Sequence, residues 1–118
     1  MKTKTRILSV DGGGIKGIVP AVVLTHLEKY LKQLSNNPNA RIIDYFDLFS
    51  GASTGAIIIA GLLTPDNHDR PKYTAEEIID LYIENGHIIF NASVLQEIKS
   101  VSGLMNVKYD PKGIESVF

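Results

Sequence analysis

Residues 45–57 read YFDLFSGASTGAI. An apolar run gives way to five small residues, and these pass directly into a second apolar run. Phe46 to Ser50 has the length and composition of a buried strand. Ile57 to Leu63 continues as an apolar helix until the turn signal at Thr64-Pro65-Asp66-Asn67. Between them, Gly51-Ala52-Ser53-Thr54-Gly55 satisfies GxSxG at a strand-to-helix turn, the setting of a nucleophile elbow. Such a turn is too tight for large flanking side chains, which accounts for Gly51 and Gly55. It leaves Ser53 at the tip, near the positive end of a helix, where developing negative charge is favoured. The plain alternative is an ordinary tight turn whose serine caps the helix.

Toward the N-terminus, residues 8–20 read LSVDGGGIKGIVP. Thr5–Val10 predicts a first strand. Ile18–Leu34 predicts a helix, with Val19, Val22, Val23, Leu27, Tyr30, Leu31 and Leu34 at helical spacing. Between the two, Gly12-Gly13-Gly14-Ile15-Lys16-Gly17 satisfies GxGxxG, the dinucleotide fingerprint. That reading needs an acidic residue at the tip of the next strand. The second strand ends Phe49-Ser50-Gly51 instead, and Asp11 would repel a pyrophosphate. A Walker A loop fails because Ile18 stands in the place of its lysine. An ATP loop of the actin or sugar-kinase type suits DGGG after a strand, but it expects a hairpin strand after the glycines and not a helix.

The two motifs account for each other. An acyl-transfer serine needs backbone N–H donors close to the carbonyl oxygen it attacks, and glycines let that backbone approach unobstructed. Adjacent parallel strands bring both loops to the same C-terminal edge of a sheet. The amides of Gly12, Gly13 and Gly14 are then the expected oxyanion hole for Ser53. Asp11, Lys16 and Gly17 support the first motif; Gly51, Thr54 and Gly55 support the second. Asp11 is expected to shape the loop through local hydrogen bonds. Lys16 either pins the loop or meets an anionic head group, a solvated lysine being the plainer reading.

The rest of the chain sets the frame. Its 118 residues are the length of one small domain. A net charge of -1, with no Lys/Arg run, provides no field for nucleic acid. The absence of cysteine excludes a disulfide framework and thiolate metal sites. The apolar stretch after MKTKTR is too short for a signal peptide, and no segment reaches transmembrane length, so a cytoplasmic location is expected. Ser35-Asn36-Asn37-Pro38-Asn39 is a turn. Thr74-Ala75-Glu76-Glu77 has the form of a capping box opening a helix with Ile78, Ile79, Tyr82 and Ile83 on one side, expected to fray near Gly86. A weaker helical pattern covers Ser93 to Ser100, and Asp110-Pro111 reads as the start of another helix. Strands alternating with helices imply an α/β domain with a parallel sheet. Two visible strands are too few for such a sheet, and an open edge of this kind invites self-association.

With both motifs in view, the chain resembles the patatin-like phospholipases. The resemblance rests on LSVDGGGIKG, on YFDLFSGASTGAI and on the late KYDP, and it spans nearly the whole chain. It implies a three-layer α/β/α fold with a mainly parallel sheet, incomplete in this chain. It also implies a lipid acyl hydrolase working through a Ser–Asp dyad, without metal or organic cofactor. By matching positions Ser53 is the nucleophile and Gly12, Gly13 and Gly14 the oxyanion hole. The partner implied is a lipid or phospholipid, met in transient contact with a membrane surface.

The family's downstream Asp-Gly-Gly or Asp-Gly-Ala has no counterpart, since the only Asp-Gly is Asp11-Gly12. Residues 1–118 therefore read as the N-terminal portion of the catalytic domain, inactive alone, with the aspartate beyond Phe118. No spacing ties His26, His68 or His87 to Ser53 as a substitute base. Asp44, Asp47, Asp66 and Asp69 read as solvated or capping residues. Two readings stand beside the hydrolase: a nucleotide-binding ATPase or kinase with DGGG as its phosphate loop, and a non-catalytic interaction module.

Overall fold

The computed structural model describes residues 4–89 and 115–117. The helical patterns expected over 93–100 and from Asp110 lie outside these residues. In chain order the elements are β1 (Ile7–Val10), α1 (Ile18–Leu34), β2 (Leu48–Gly51), α2 (Thr54–Leu63) and α3 (Ala75–Ile89). A 3-10 turn over Gly14–Gly17 leads into α1, and another over Ile42–Asp44 precedes β2. This is a mixed α/β chain with a two-stranded parallel sheet among its described residues, in keeping with an incomplete α/β/α fold. The chain divides into two compact units, residues 1–80 and 81–118. The sheet, α1 and α2 belong to the first.

The strands pair in register from Ile7↔Leu48 to Val10↔Gly51, so they end level. Both begin later than their apolar runs suggest. Asp47 is the reason. Its carboxylate accepts the Arg6 N–H at 2.9 Å, and the Asp47 and Leu48 amides both converge on the Arg6 carbonyl, at 2.8 and 3.2 Å. A side chain has taken the place of one ladder bond, and regular pairing starts only beyond it.

α1 has its expected limits, with Pro20 in the first turn where a missing N–H is harmless. Its buried face is not the one its largest apolar residues mark. Ala21, Leu24, Thr25 and Glu28 are buried, while Val19, Val23, Tyr30 and Leu34 are each more than half exposed. Hydrophobic period located the helix but did not mark its buried face, which includes the carboxylate of Glu28. The core joins Val10, Ala21, Leu24 and Ile42 to Ile58, Ile59 and Leu62 of α2 and to Ala75 and Ile78 of α3.

Glu28 is a carboxylate within this packing, 3 % exposed. It accepts the Ile42 and Ala75 amides, each at 3.4 Å, and pairs with Lys32 at 3.2 Å. One side chain of α1 thus caps both the 3-10 turn before β2 and the start of α3. Nearby, Arg70 grips Asp44 with two parallel bonds of 2.6 and 2.9 Å, the fork geometry favoured for guanidinium and carboxylate. The capping box of α3 forms as expected: Glu77 N–H donates to Thr74 Oγ1 at 3.1 Å, and Thr74 N–H to Glu77 Oε2 at 2.7 Å. In the second unit α3 runs past Gly86 to Ile89, with Asn85 Nδ2 donating to the Leu81 carbonyl at 3.0 Å. A helical glycine costs only about 1 kcal/mol, too little to end a helix already under way. Among the described residues no helix is long and apolar enough to cross a membrane.

Candidate active site

The level strand ends set the site. Beyond β1 the chain enters the glycine loop, and beyond β2 it enters GASTG, so both motifs start from the same edge of the sheet. The Ala52 N–H still donates to the Val10 carbonyl, at 3.2 Å, and then the backbone turns.

The turn is made at Ser53, with φ 52° and ψ -122°. A non-glycine residue there is rare and strained, by about 1–3 kcal/mol, and persists only where its surroundings impose it. The surroundings are visible in the flanking glycines. A Cβ on Gly51 would lie 2.6 Å from the Ala56 nitrogen, and one on Gly55 would strike the Val10 carbonyl oxygen. α2 therefore begins directly after Ser53, at Thr54, three residues before its aliphatic run starts. The run does not show that earlier start, because the elbow rather than the side chains nucleates the helix.

Ser53 is exposed, and its hydroxyl makes no capping bond to α2 although it occupies the N-cap position. The plain reading of a capping serine fails on this point. Ser53 thus combines an exposed side chain, a strained backbone and an uncapped helix start.

The glycine loop packs straight against this elbow. A Cβ on Gly12 would stand 2.5 Å from the Ala52 oxygen and 2.7 Å from Ser53 Cβ. Only glycine allows that approach. One residue on, the Gly13 N–H donates to Thr54 Oγ1 at 3.1 Å. Gly14–Gly17 then closes the loop as a 3-10 turn with Gly17 buried and the Lys16 N–H on the Gly13 carbonyl at 3.2 Å. Asp11 and Lys16 are both exposed. The glycines lead into this turn and a 17-residue helix, not into the hairpin strand that an actin-type ATP loop needs. Beside the loop runs a groove of about 400 Å³, with Leu8, Val10, Val19 and Val23 along it together with Asp11 and Lys16. Ser53 is not part of its lining, so groove and elbow are neighbours through Gly12 and not one cavity.

No carboxylate or histidine among the described residues is hydrogen-bonded to Ser53. His26 and His68 are exposed, and the side chain of His87 lies outside the described residues. The perturbed acids serve other partners. The Arg70 guanidinium holds Asp44 below the usual carboxylate range, and the Arg70 and His68 amides do the same for Asp66. Glu77 is lowered by the Thr74 amide. Asp44 also accepts the Arg41 amide, and Asp66 those of His68 and Arg70, which are the capping roles expected for them. Sequence reading missed the Thr54–Gly13 bond, whose partners stand 41 residues apart; only the threonine within GxSxG hinted at it.

A strained serine elbow beside a glycine loop, on one edge of a parallel sheet, defines the candidate site. Comparison with known proteins names the family. The model of the patatin-like phospholipase family matches residues 8–116. Patatin-16 of Solanum tuberosum is 44 % identical over 109 residues, 91 % of this chain and 28 % of that protein. Patatin-2-Kuras 2 of Solanum tuberosum is 51 % identical over 87 residues, 74 % of this chain and 22 % of that protein. Patatin-17 of Solanum cardiophyllum is 42 % identical over 111 residues, 94 % of this chain and 27 % of that protein. The chain belongs to the patatin-like phospholipase family. It spans only about a quarter of the length of these relatives.

Proposed function

We propose that this chain carries the nucleophile and the oxyanion-binding loop of a lipid acyl hydrolase of phospholipase or lysophospholipase type. The observation that carries the proposal is Ser53, exposed, uncapped and held at φ 52° against a glycine loop. Ser53 Oγ attacks the ester carbonyl carbon while its proton passes to a carboxylate. The carbonyl oxygen becomes an oxyanion, received by backbone amides of the glycine loop other than Gly13, whose N–H is already donated to Thr54 Oγ1. The carbonyl re-forms, the C–O bond to the leaving alcohol breaks, and the carboxylic acid returns the proton to that alcohol. Water then attacks the acyl-serine by the same route, releasing the fatty acid and restoring Ser53.

The carboxylate is assigned to an aspartate outside these 118 residues, which makes a Ser–Asp dyad. The support is twofold: the chain spans 28 % of its relative, and no described acid is bonded to Ser53. Membership in a phospholipase family supports lipid esters as substrates. To the exposed Lys16 on the glycine loop we assign contact with an anionic head group. No metal or organic cofactor enters the mechanism.

A fluorophosphonate probe tests the proposal, because it phosphonylates only an activated serine. In the full-length protein that contains this chain, the probe labels Ser53, and Ser53→Ala abolishes both labelling and ester hydrolysis. Labelling elsewhere, or a Ser53→Ala variant as active as the parent, overturns it.

A further inference from the structure

Thr54 follows the candidate nucleophile, and its hydroxyl is turned away from its own helix. It accepts the N–H of Gly13, 41 residues back in the chain, at 3.1 Å. Thr54 is 2 % exposed, so this bond is sheltered on the threonine side. The neighbouring pair is in direct contact as well, since Gly12 lies against Ala52 and Ser53 with no room for a Cβ. Successive loop residues are thus matched to successive elbow residues, Gly12 to Ser53 by contact and Gly13 to Thr54 by a hydrogen bond. A run of three glycines has the greatest backbone freedom of any sequence and no side chains with which to anchor itself. The anchor has to come from elsewhere, and the elbow supplies it.

We propose that Thr54 is a positioning residue for acyl transfer. Its Oγ1 holds the middle amide of the glycine loop, and so fixes how the loop's donors stand relative to Ser53 Oγ. Because Thr54 is bonded in sequence to Ser53, nucleophile and oxyanion loop share one rigid mount. The inference rests on the reading of Ser53 as nucleophile and of the glycine loop as oxyanion hole. It adds a residue that touches neither substrate nor reacting atoms and acts through Gly13.

Two variants separate this role from mere packing. Thr54→Val keeps shape and burial but removes the acceptor; Thr54→Ser keeps the acceptor and removes a methyl. In the full-length protein, three quantities are read well below the unfolding midpoint. These are the rate of fluorophosphonate labelling at Ser53, kcat and KM on a p-nitrophenyl acyl ester, and hydrogen exchange of the Gly13 amide. Thr54→Val is expected to lower labelling rate and kcat by about 10- to 100-fold, the scale of a misplaced oxyanion donor, with KM within about twofold. Gly13 exchange accelerates in the same variant. Thr54→Ser stays within about threefold of the parent on the rates and keeps Gly13 protected.

Thr54→Val labelling at the parent rate overturns the proposal, as does a loss in Thr54→Ser equal to that in Thr54→Val. A Gly13 amide that exchanges unprotected in the parent overturns it even if Thr54→Val does not fold. Absence of Ser53 labelling in the parent itself removes the nucleophile reading and this inference with it. That result is distinguishable because every variant is then equally silent.

Discussion

The two ends of β2 treat helix starts in opposite ways. On the N-terminal side, turns and helix starts are given side-chain oxygens. Glu28 takes Ile42 and Ala75, Asp44 takes Arg41 at 2.9 Å, Asp66 takes His68 and Arg70, and Thr74 takes Glu77. On the C-terminal side α2 begins with no side-chain cap, on a residue with positive φ. Two serine/threonine hydroxyls are within reach there, and neither is used for the local helix. One end follows the ordinary rules of capping and the other breaks them. Such local violations, sustained by tight packing around them, mark the places where a fold serves something other than its own stability.

The comparison can be broken at several points. The largest effect is expected at Gly55→Ala, whose Cβ meets the backbone oxygen of Val10. No rotamer relieves a backbone collision, so a loss of at least about 3 kcal/mol is expected in denaturant unfolding, with Ser53 labelling abolished. Next is Glu28→Ala, which strands two amides and frees Lys32. Both amide bonds are long, so about 2 kcal/mol is expected by thermal unfolding, with labelling of Ser53 retained. Retained labelling in Glu28→Ala beside lost labelling in Gly55→Ala shows that the two ends are separable. Thr74→Ala comes third, at about 1 kcal/mol, the usual worth of an N-cap.

The smallest effect is in acid. Asp44, Asp66 and Glu77 all have lowered carboxyl values in the fold, from Arg70, from the Arg70 and His68 amides and from the Thr74 amide respectively. Their folded-state values lie below their unfolded ones, so their contribution is complete above about pH 4.5 and is lost as pH falls through the lowered values. The unfolding midpoint should therefore decline below about pH 4.5, and less steeply in Asp44→Asn. An unchanged slope in that variant removes Asp44 from the account.

Which of these features can be read from the sequence depends on the range of the interaction. Helix α1 and the Thr74–Glu77 capping box were legible because their determinants lie within a few residues. GxSxG was legible as a pattern, and the collision that demands Gly51 arises inside its own turn; the one that demands Gly55 comes from Val10, far back in the chain, and was not. The buried face of α1 was not, since Ala21 and Glu28 owe their burial to what approaches them and not to their own hydrophobicity. Nor was the start of α2, where Ser53 forgoes the capping bond that normally announces a helix. Asp44–Arg70 and Thr54–Gly13 join residues 26 and 41 apart. No local pattern encodes such pairs; they exist once the strands have paired.

The Val10 carbonyl has a consequence of its own. It accepts the Ala52 amide at 3.2 Å and also closes the space in which a Gly55 side chain would stand. Sliding β2 by a single residue would displace the serine by about 3.3 Å and turn its strand over. The separation of the two motifs in space is therefore gauged by one oxygen atom, while their separation in sequence is not gauged at all. Residues can be added or removed in the exposed turn at Asn36-Asn37 without disturbing that gauge. A single insertion between Val10 and Gly12, or between Gly51 and Ser53, puts Ser53 and the glycine loop out of phase. Tolerance of length, mapped by scanning insertions along the chain, should outline the candidate active edge as sharply as any substitution.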